Sequence, residues 1–183
     1  MRDYLYGINP AFEAIRGRRR ELHCLYLNKG SENNPRLQKL ITLAEKATLP
    51  IKFTDRQELF NLCNSREHQG CVLEAGTFQY SAFADLLGEK KLLLLDNIND
   101  PHNIGAITRS AEALGWQNIL LPRRGAPLIL PSVVKAAAGA CEFLQVAVNC
   151  SSNQYVKIAL EEGYSIVSLD AKADINILPG VFL

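Results

Sequence analysis

Residues 92–109 read LLLLDNINDPHNIGAITR, and this stretch decides the fold more than any other part of the chain. Its four leucines do not alternate with polar residues, so we expect a strand over residues 91–96 with both faces buried. Such a strand is typical of the centre of a parallel sheet. A polar loop follows, and then a helix is predicted from about Asn103 to Leu114, with Gly115 placed to end it. A strand, a loop and a helix in this order indicate an α/β fold.

Two polar side chains of this stretch are candidates for a ligand site. In open parallel sheets, ligands collect beyond the carboxyl ends of the strands, and a helix N-terminus at that place favours anions. Asn103 would lie at such a terminus, and Arg109, less than two turns further on, could pair with a phosphate or a ribose oxygen. From the residues alone, a plain helix cap for Asn103 and an exposed helical arginine for Arg109 remain open.

The chain before this stretch alternates helical patterns with short apolar runs. Helices are predicted to begin at Asn9, at Asn34, and after the capping pattern of Thr54 and Gln57. Strands are predicted over residues 22–27, 51–53 and 71–75. We therefore predict a small α/β domain over residues 1–77, followed by a linker over residues 78–90.

The chain after this stretch continues the alternation. Helices are predicted to begin at Pro131 and after the capping pattern of Ser151 and Gln154. Strands are predicted over residues 118–121, 143–148 and 164–169. Residues 91–183 are therefore predicted to form a second α/β domain built on a parallel sheet.

Composition narrows the class of protein. Hydrophobic residues make up 48% of the chain and charged residues 21%, which is ordinary for a globular protein. The apolar runs are too short to span a bilayer and the N-terminus lacks the apolar core of a signal peptide, so we expect a cytoplasmic protein without membrane contact. The five cysteines are odd in number and lack CxxC spacing, so we expect neither a metal site nor a disulfide framework.

Positive charge is concentrated at one place although the net charge is only +1. Arg16, Arg18, Arg19 and Arg20 lie within five residues. Such a cluster can hold phosphates without a high overall pI. A solvated loop after a helix is the alternative interpretation.

Four separate segments carry a resemblance to a known family. They are DPHNIGA at 100–106 with Arg109 and ALG at 113–115, YGINP at 6–10, HQG at 68–70, and KAAAGACE at 135–142. In order and spacing they resemble the SpoU/TrmH family of RNA 2′-O-ribose methyltransferases, and most of all the two-domain members that methylate guanosine in large-subunit ribosomal RNA. One departure is Ala137, which stands where the family usually has serine.

The resemblance implies a fold and a reaction. Residues 1–77 would be an RNA-binding domain like certain small ribosomal proteins, and residues 91–183 would be the first part of a SPOUT methyltransferase domain. S-adenosylmethionine would donate a methyl group to a ribose 2′-hydroxyl of RNA. No metal is implied.

The resemblance also implies site residues. Asn103, Arg109 and Glu142 would serve catalysis, with Glu142 stabilising the loop around Arg109, although a simple surface or helix-end carboxylate remains open. Ser168, Leu169 and Asp170 would touch the methyl donor. RNA contacts are implied for Arg16, Arg18, Arg19, Arg20 and His68, while a hydrogen-bonded loop residue is the other interpretation of His68.

Two later family motifs, a Gly-rich one and a Ser/Asn-rich one, do not occur before Leu183. In the family these motifs thread the C-terminal knot, hold most of the methyl donor and build the dimer interface. We therefore expect residues 1–183 to be a truncated, knot-less form that is inactive alone, and the full-length form to be a homodimer.

Two other classes of protein are alternatives. A non-catalytic RNA-binding module would use the first domain and the arginine cluster, and it would not bind S-adenosylmethionine. A nucleotide-dependent oxidoreductase needs a Gly-rich turn after Leu95. The sequence has no such turn, so this class is disfavoured.

Overall fold

The computed structural model describes residues 1–31 and 33–169, which form two α/β units. The first unit contains four strands and three helices. These are β1 (Arg2–Tyr6), α1 (Ile8–Gly17), β2 (Leu22–Asn28), α2 (Pro35–Lys46), β3 (Ile51–Thr54), α3 (Arg56–Cys63) and β4 (Cys71–Gly76). The mixed sheet has the order β1-β4-β2-β3, in which only β2 and β3 are parallel.

The second unit contains three short strands and four helices in the described part of the chain. These are α4 (Phe83–Leu86), β5 (Leu93–Leu94), α5 (Pro101–Ala113), β6 (Asn118–Leu120), α6 (Pro131–Ala136), β7 (Gln145–Ala147) and α7 (Ser152–Glu161). The strands are all parallel, in the order β5-β6-β7. The predicted α/β fold with a parallel second sheet is confirmed.

The leucine run packs on both faces, but only Leu95 is buried as predicted, whereas Leu92, Leu93 and Leu94 are half-buried. Leu93 and Leu95 pack into the main core, whereas Leu92 and Leu94 pack against a smaller cluster that includes Tyr155. The expected central position is wrong among the described strands, because β6 lies in the middle and β5 pairs with it from the edge.

Helix starts were predicted best where a side chain caps its own helix. Asn34 accepts a hydrogen bond from the amide of Arg36, and Ser151 with Gln154 forms a complete capping box at α7. The start of α3 was predicted one residue early, since Asp55 caps it through the amide of Glu58 at 2.8 Å and Thr54 does not.

Helix α1 has no cap from its own side chains. The predicted cap Asn9 lies inside the helix, and the amide of Ile8 donates instead to Oε1 of Gln69 at 3.2 Å. Gln69 belongs to the HQG segment, so a segment that is distant in sequence caps the N-terminus of α1.

Two strand predictions differ from the structure. Strand β1 was not predicted, because RDYLY has no clear alternation and its extended state comes from antiparallel pairing with β4. Residues 164–169 form no strand, and their apolar side chains Ile166, Val167 and Leu169 are exposed.

The two units share one apolar core. Helix α1 contacts the short 3-10 helix Ala140–Phe143, and β1 contacts α6. The stretch predicted as a linker, residues 78–90, contains the buried residues Phe78, Phe83 and Leu86. The domain boundaries at residues 77 and 91 stay a prediction. Among the described residues, no helix is long and apolar enough to cross a bilayer.

Candidate functional site

The carboxyl ends of β5, β6 and β7 lie at one edge of the parallel sheet, where three loops meet. The amide of Arg123 donates to the carbonyl of Cys150 at 2.9 Å, and its guanidinium donates to the carbonyl of Asn149 at 2.6 Å. The hydroxyl of Ser152 donates to the carboxylate of Asp96. These hydrogen bonds connect the loops that follow all three strands. In α/β proteins, ligands bind at this edge of the sheet.

Asn103 lies in the first turn of α5 at this edge, and its side chain is exposed. The helix begins earlier than predicted, at Pro101, and Asp100 caps it by accepting from the amide of His102 at 2.9 Å. A plain cap for Asn103 is therefore the wrong interpretation. Since the cap is supplied by Asp100, the carboxamide of Asn103 is left available to a ligand.

Arg109 is also exposed on α5. Six residues separate it from Asn103, which places the two about 9 Å apart along the helix axis and about 120° apart around it. They are thus neither on one face nor on opposite faces of α5. One extended ligand that follows the solvent side of this helix can touch both side chains.

The opposite face of α5 is held tightly. Thr108 is fully buried, and its hydroxyl donates to the carbonyls of Ile104 at 2.8 Å and Gly105 at 3.0 Å. Gly105 faces α6 so closely that a Cβ atom there would lie 2.8 Å from the backbone nitrogen of Ala137. This packing fixes the rotation of α5 and so keeps Asn103 and Arg109 turned toward solvent.

Glu142 is buried at the contact between the units, so the interpretation as a surface carboxylate is wrong, whereas its role in stabilising the segment around Arg109 stays a prediction. Its side chain is 0% exposed and pairs with Arg20 of the first unit. Nε of Arg20 lies 3.0 and 3.1 Å from the two carboxylate oxygens. Burial raises the pKa of the Glu142 carboxyl, and the guanidinium of Arg20 opposes that shift.

Two of the four arginines of the cluster, Arg19 and Arg20, connect the first unit to the second. Arg20 is completely buried and also binds Asp3 at 2.6 Å, so the prediction that it contacts RNA is wrong. Arg19 donates to the carbonyl of Leu144. Two segments about 120 residues apart in sequence are connected in this way, which no local pattern could indicate.

The other two arginines of the cluster are exposed. The guanidinium of Arg16 lies 4.7 Å from the ring centroid of Phe143 and pairs with Glu13 at 3.3 Å. Arg18 has left-handed backbone geometry at the end of α1. Contact with RNA stays a prediction for Arg16 and Arg18.

His68 is buried, and its Nδ1 accepts from the amide of Gly70 at 3.0 Å. The interpretation as a hydrogen-bonded residue is therefore confirmed, although His68 ends the short 3-10 helix Arg66–His68 and does not lie in a loop. Its imidazole is buried, so it is not presented to RNA. Burial lowers the pKa of His68, and the positive charges of Arg56 and Lys135 lower it further.

The residues predicted to touch the methyl donor follow α7. Ser168 and Leu169 are exposed, and Asp170 lies outside the described residues. The hydroxyl of Tyr164 accepts from the amide of Gly88 at 2.9 Å and donates to the carbonyl of Glu89 at 2.7 Å. The beginning of this segment is thus attached to the chain that precedes β5, while its apolar residues remain open to a ligand.

Lys135 is a residue of the contact between the units that the sequence did not single out by itself. Its ammonium donates to the carbonyl of Glu67 at 2.9 Å and lies 5.8 Å from the ring centroid of Tyr6. Burial lowers the pKa of Lys135. Gly7 leaves the space for this side chain, since a Cβ atom there would lie 2.6 Å from the ammonium.

Comparison with protein families matches both units. The model of the SpoU rRNA Methylase family matches residues 90–178. A second family, described as RNA 2′-O ribose methyltransferase substrate binding, matches residues 4–81.

Several curated proteins are similar to most of the chain. YacO of Bacillus subtilis, named a TrmH family tRNA/rRNA methyltransferase, is 32% identical over 178 residues, which cover 93% of this chain and 70% of YacO. A tRNA/rRNA methyltransferase of Mycobacterium sp. strain KMS is 31% identical over 96% of this chain and 58% of its own length. The chain thus spans 70% of the length of YacO and 58% of the length of the mycobacterial relative.

Solved structures share the fold. A crystal structure of an RNA 2′-O ribose methyltransferase superimposes with a TM-score of 0.68 at 20% identity, covering 88% of this chain and 60% of that one. An AdoMet-bound rRNA methyltransferase from Sinorhizobium meliloti gives a TM-score of 0.65 at 16% identity, covering 85% of this chain and 57% of that one. At these identities the likeness concerns the fold alone.

Proposed function

The chain belongs to the SpoU/TrmH family of RNA methyltransferases, and from this membership we propose that it serves the transfer of a methyl group from S-adenosylmethionine to a ribose 2′-hydroxyl of RNA. The observation that supports this most is the exposure of both Asn103 and Arg109 on α5, the helix whose first turn, with Asn103, follows the loop after β5. A buried helix face holds both residues in place, so the site is preorganised.

Arg109 binds and orients the substrate in this proposal. Its guanidinium stays protonated at neutral pH, so it is a poor general base. It can form two parallel hydrogen bonds with the phosphate next to the reacting ribose. Its charge stabilises the 2′-oxygen as that oxygen gives its proton to water and takes the methyl group, whose bond to the donor's sulfur breaks. These interactions align the attacking oxygen with the methyl carbon.

Asn103 supplies a neutral amide beside that charge. A carboxamide can donate to one ribose oxygen and accept from another, and it therefore orients the sugar without adding charge. Because Asp100 already caps α5, binding to a ribose costs the helix no capping bond.

The segment after α7 fits the methyl donor in part. Ser168 offers a hydroxyl and Leu169 an apolar side chain, and both are accessible to a ligand of mixed polarity. When bound, S-adenosylmethionine supplies a methyl group on a positively charged sulfur. Ser168, Leu169 and Asp170 would contact one edge of this molecule.

The finer parts of the proposal rest on the resemblance of the sequence to two-domain members of the family. The target is guanosine in large-subunit ribosomal RNA, the protein acts in the cytoplasm, and the complete protein is a homodimer that needs no metal. The relatives are named tRNA/rRNA methyltransferases, which supports RNA as the substrate class.

A methyl-transfer assay on the complete gene product that carries these residues tests the proposal. We expect Arg109→Ala, Arg109→Lys and Asn103→Ala each to lower kcat by about 10²–10³-fold, as for the loss of one preorganised donor. Ser110→Ala is the matched control, because Ser110 is exposed on the same helix and bonds only to the carbonyl of Ala106 among the described residues. Wild-type rates in both Asn103→Ala and Arg109→Ala would contradict the proposed site.

Calorimetry separates the proposal from a non-catalytic RNA-binding module. The enzyme must release or absorb heat when S-adenosylmethionine is added, whereas the module must not. Binding of RNA without any binding of the donor by the complete protein would favour the module.

A further inference from the structure

A groove of about 530 Å³ lies between α1 and α2, and Asn103 is not among its lining residues. Phe12 of α1 forms one side, and the exposed face of α2 forms the other. The residues of α2 that line it are Pro35, Gln38, Lys39, Thr42, Leu43 and Lys46.

The charge of this groove is positive. Lys39 and Lys46 both line it, and no acidic residue of the described part of the chain does. The one acid of α2, Glu45, lies outside the lining. At the N-terminal end of α2, Arg36 is exposed and donates to the side chain of Asn9 at 2.9 Å. The groove therefore offers a row of cations along one helix face.

The spacing of these cations fits a nucleic-acid strand. Lys39 and Lys46 are seven residues apart, so they lie on the same face of α2 about 10.5 Å from each other along its axis. Phosphates along one stacked strand advance about 3.4 Å per nucleotide. The two ammonium groups can therefore bind phosphates about three nucleotides apart.

The floor of the groove is apolar. Phe12 and Leu43 line it and are only partly buried. An aromatic ring next to cations is the arrangement that binds single-stranded nucleic acids, because bases stack on the ring while phosphates pair with the cations. An acidic protein segment would use the cations but would leave the aromatic floor without a matching group.

The arginine cluster cannot supply this binding surface alone. Arg19 and Arg20 are engaged between the two units, which leaves Arg16 and Arg18 as its exposed members. The first unit matches a substrate-binding family, so other exposed cations of this unit are candidates for contacts with RNA.

We propose that the groove between α1 and α2 binds the sugar–phosphate backbone of the RNA substrate, with Lys39 and Lys46 on phosphates and Phe12 against a base. This inference rests on the proposed function and adds the surface of the first unit that holds the RNA. The groove anchors a strand of the substrate, while α5 meets the ribose that reacts.

Fluorescence anisotropy with a short labelled single-stranded RNA, measured over a range of salt concentrations, tests the inference. We expect Lys39→Ala and Lys46→Ala each to weaken binding and to reduce the slope of log affinity against log salt by about 0.7, as for one lost phosphate contact. Phe12→Leu should weaken binding while leaving the salt slope unchanged, because it removes stacking without removing charge.

Lys52→Ala is the matched control. Lys52 is exposed on β3, with its ammonium 5.7 Å from the ring centroid of Tyr26. Tyr26 alternates along β2 with the core residues Leu25 and Leu27, so Lys52 lies on the other face of the sheet. Thermal unfolding of each variant confirms that the exposed substitutions leave the fold intact.

The outcomes separate the inference from the proposed function. If the wild-type protein binds RNA but both lysine variants keep its affinity and salt slope, the groove inference is overturned and the proposed function stands. An equal loss in Lys52→Ala also overturns it, because binding would then follow total charge. If the wild-type protein binds no RNA at any salt concentration, the inference and the proposed function fail together.

Discussion

At the scale of single residues, the ion pair between Arg20 and Glu142 is the contact that most constrains the molecule. Both side chains are fully buried, so their charges are stable only in each other's presence. Asp3 takes a further hydrogen bond from the same guanidinium and so reduces the number of unsatisfied donors. The pair connects the first unit to the turn after α6, next to the helices that position the candidate site.

Removing one partner of this ion pair should destabilise the folded protein. We expect Arg20→Met to lower the free energy of unfolding by about 3–5 kcal/mol, because the carboxyl of Glu142 would be left buried without its partner. The double variant Arg20→Met with Glu142→Leu should recover most of that loss. Arg18→Met is the control, since Arg18 is exposed and its replacement should cost less than about 0.5 kcal/mol. Urea unfolding measures all three, and equal losses in Arg20→Met and Arg18→Met would contradict the role of the pair.

His68 gives the molecule a pH dependence. Its pKa in the folded protein lies below the ordinary value of 6.5, because the imidazole is buried near positive charges. As the pH falls through 6.5, the unfolded chain gains a proton at this residue before the folded protein does, so stability must decrease. We expect His68→Asn, which keeps an acceptor for the amide of Gly70, to show a smaller decrease. Identical pH profiles of the free energy of unfolding in the two proteins would rule this out.

At the scale of secondary-structure elements, the packing of α5 on α6 determines where the candidate site residues point. The small residues at the contact permit this close approach, and Gly105 is the tightest point. We expect Gly105→Val to lower the free energy of unfolding by about 1–3 kcal/mol through overpacking. Ala106→Val, on the exposed side of the same helix, should cost no more than about 0.7 kcal/mol. Chemical unfolding checks both, and similar costs in the two variants would refute this account of the contact.

The elements that the sequence predicts well are those whose causes are local. Helices α2 and α7 were predicted from their own caps, and β2 and β4 from short apolar runs. Strand β1 was missed because partner strands determine its conformation. The same distinction holds at the site: the exposure of Asn103 and Arg109 follows from helical periodicity, whereas the partner of Glu142 lies 122 residues away and depends on tertiary structure.

At the scale of the whole molecule, the two units are joined by a continuous core. Residues of α1, β2 and β4 belong to the same buried cluster as residues of α5, α6 and β7. Gly139 permits the contact, because a Cβ atom there would lie 2.6 Å from Cβ of Glu13 on α1. A shared core of this kind favours a single cooperative unfolding transition.

This cooperativity can be observed with two probes. Trp116 is the only tryptophan and lies in the second unit, so its fluorescence reports that unit, whereas far-ultraviolet circular dichroism reports both. We expect the two unfolding curves of the wild-type protein to coincide in urea. Gly139→Leu should separate them by weakening the contact between the units. Curves that are already separate in the wild-type protein would contradict a common core.

The central claim is that Asn103 and Arg109 present a ribose 2′-hydroxyl for methylation. It is tested most directly by incubating the complete gene product with radiolabelled S-adenosylmethionine and ribosomal RNA, followed by alkaline hydrolysis of the RNA. A methylated 2′-oxygen blocks cleavage at its own phosphate, so we expect the label in alkali-resistant dinucleotides with the wild-type protein and a strong decrease with Arg109→Ala. Label found in mononucleotides would place the methyl group on a base and contradict the account, as would undiminished labelling by Arg109→Ala.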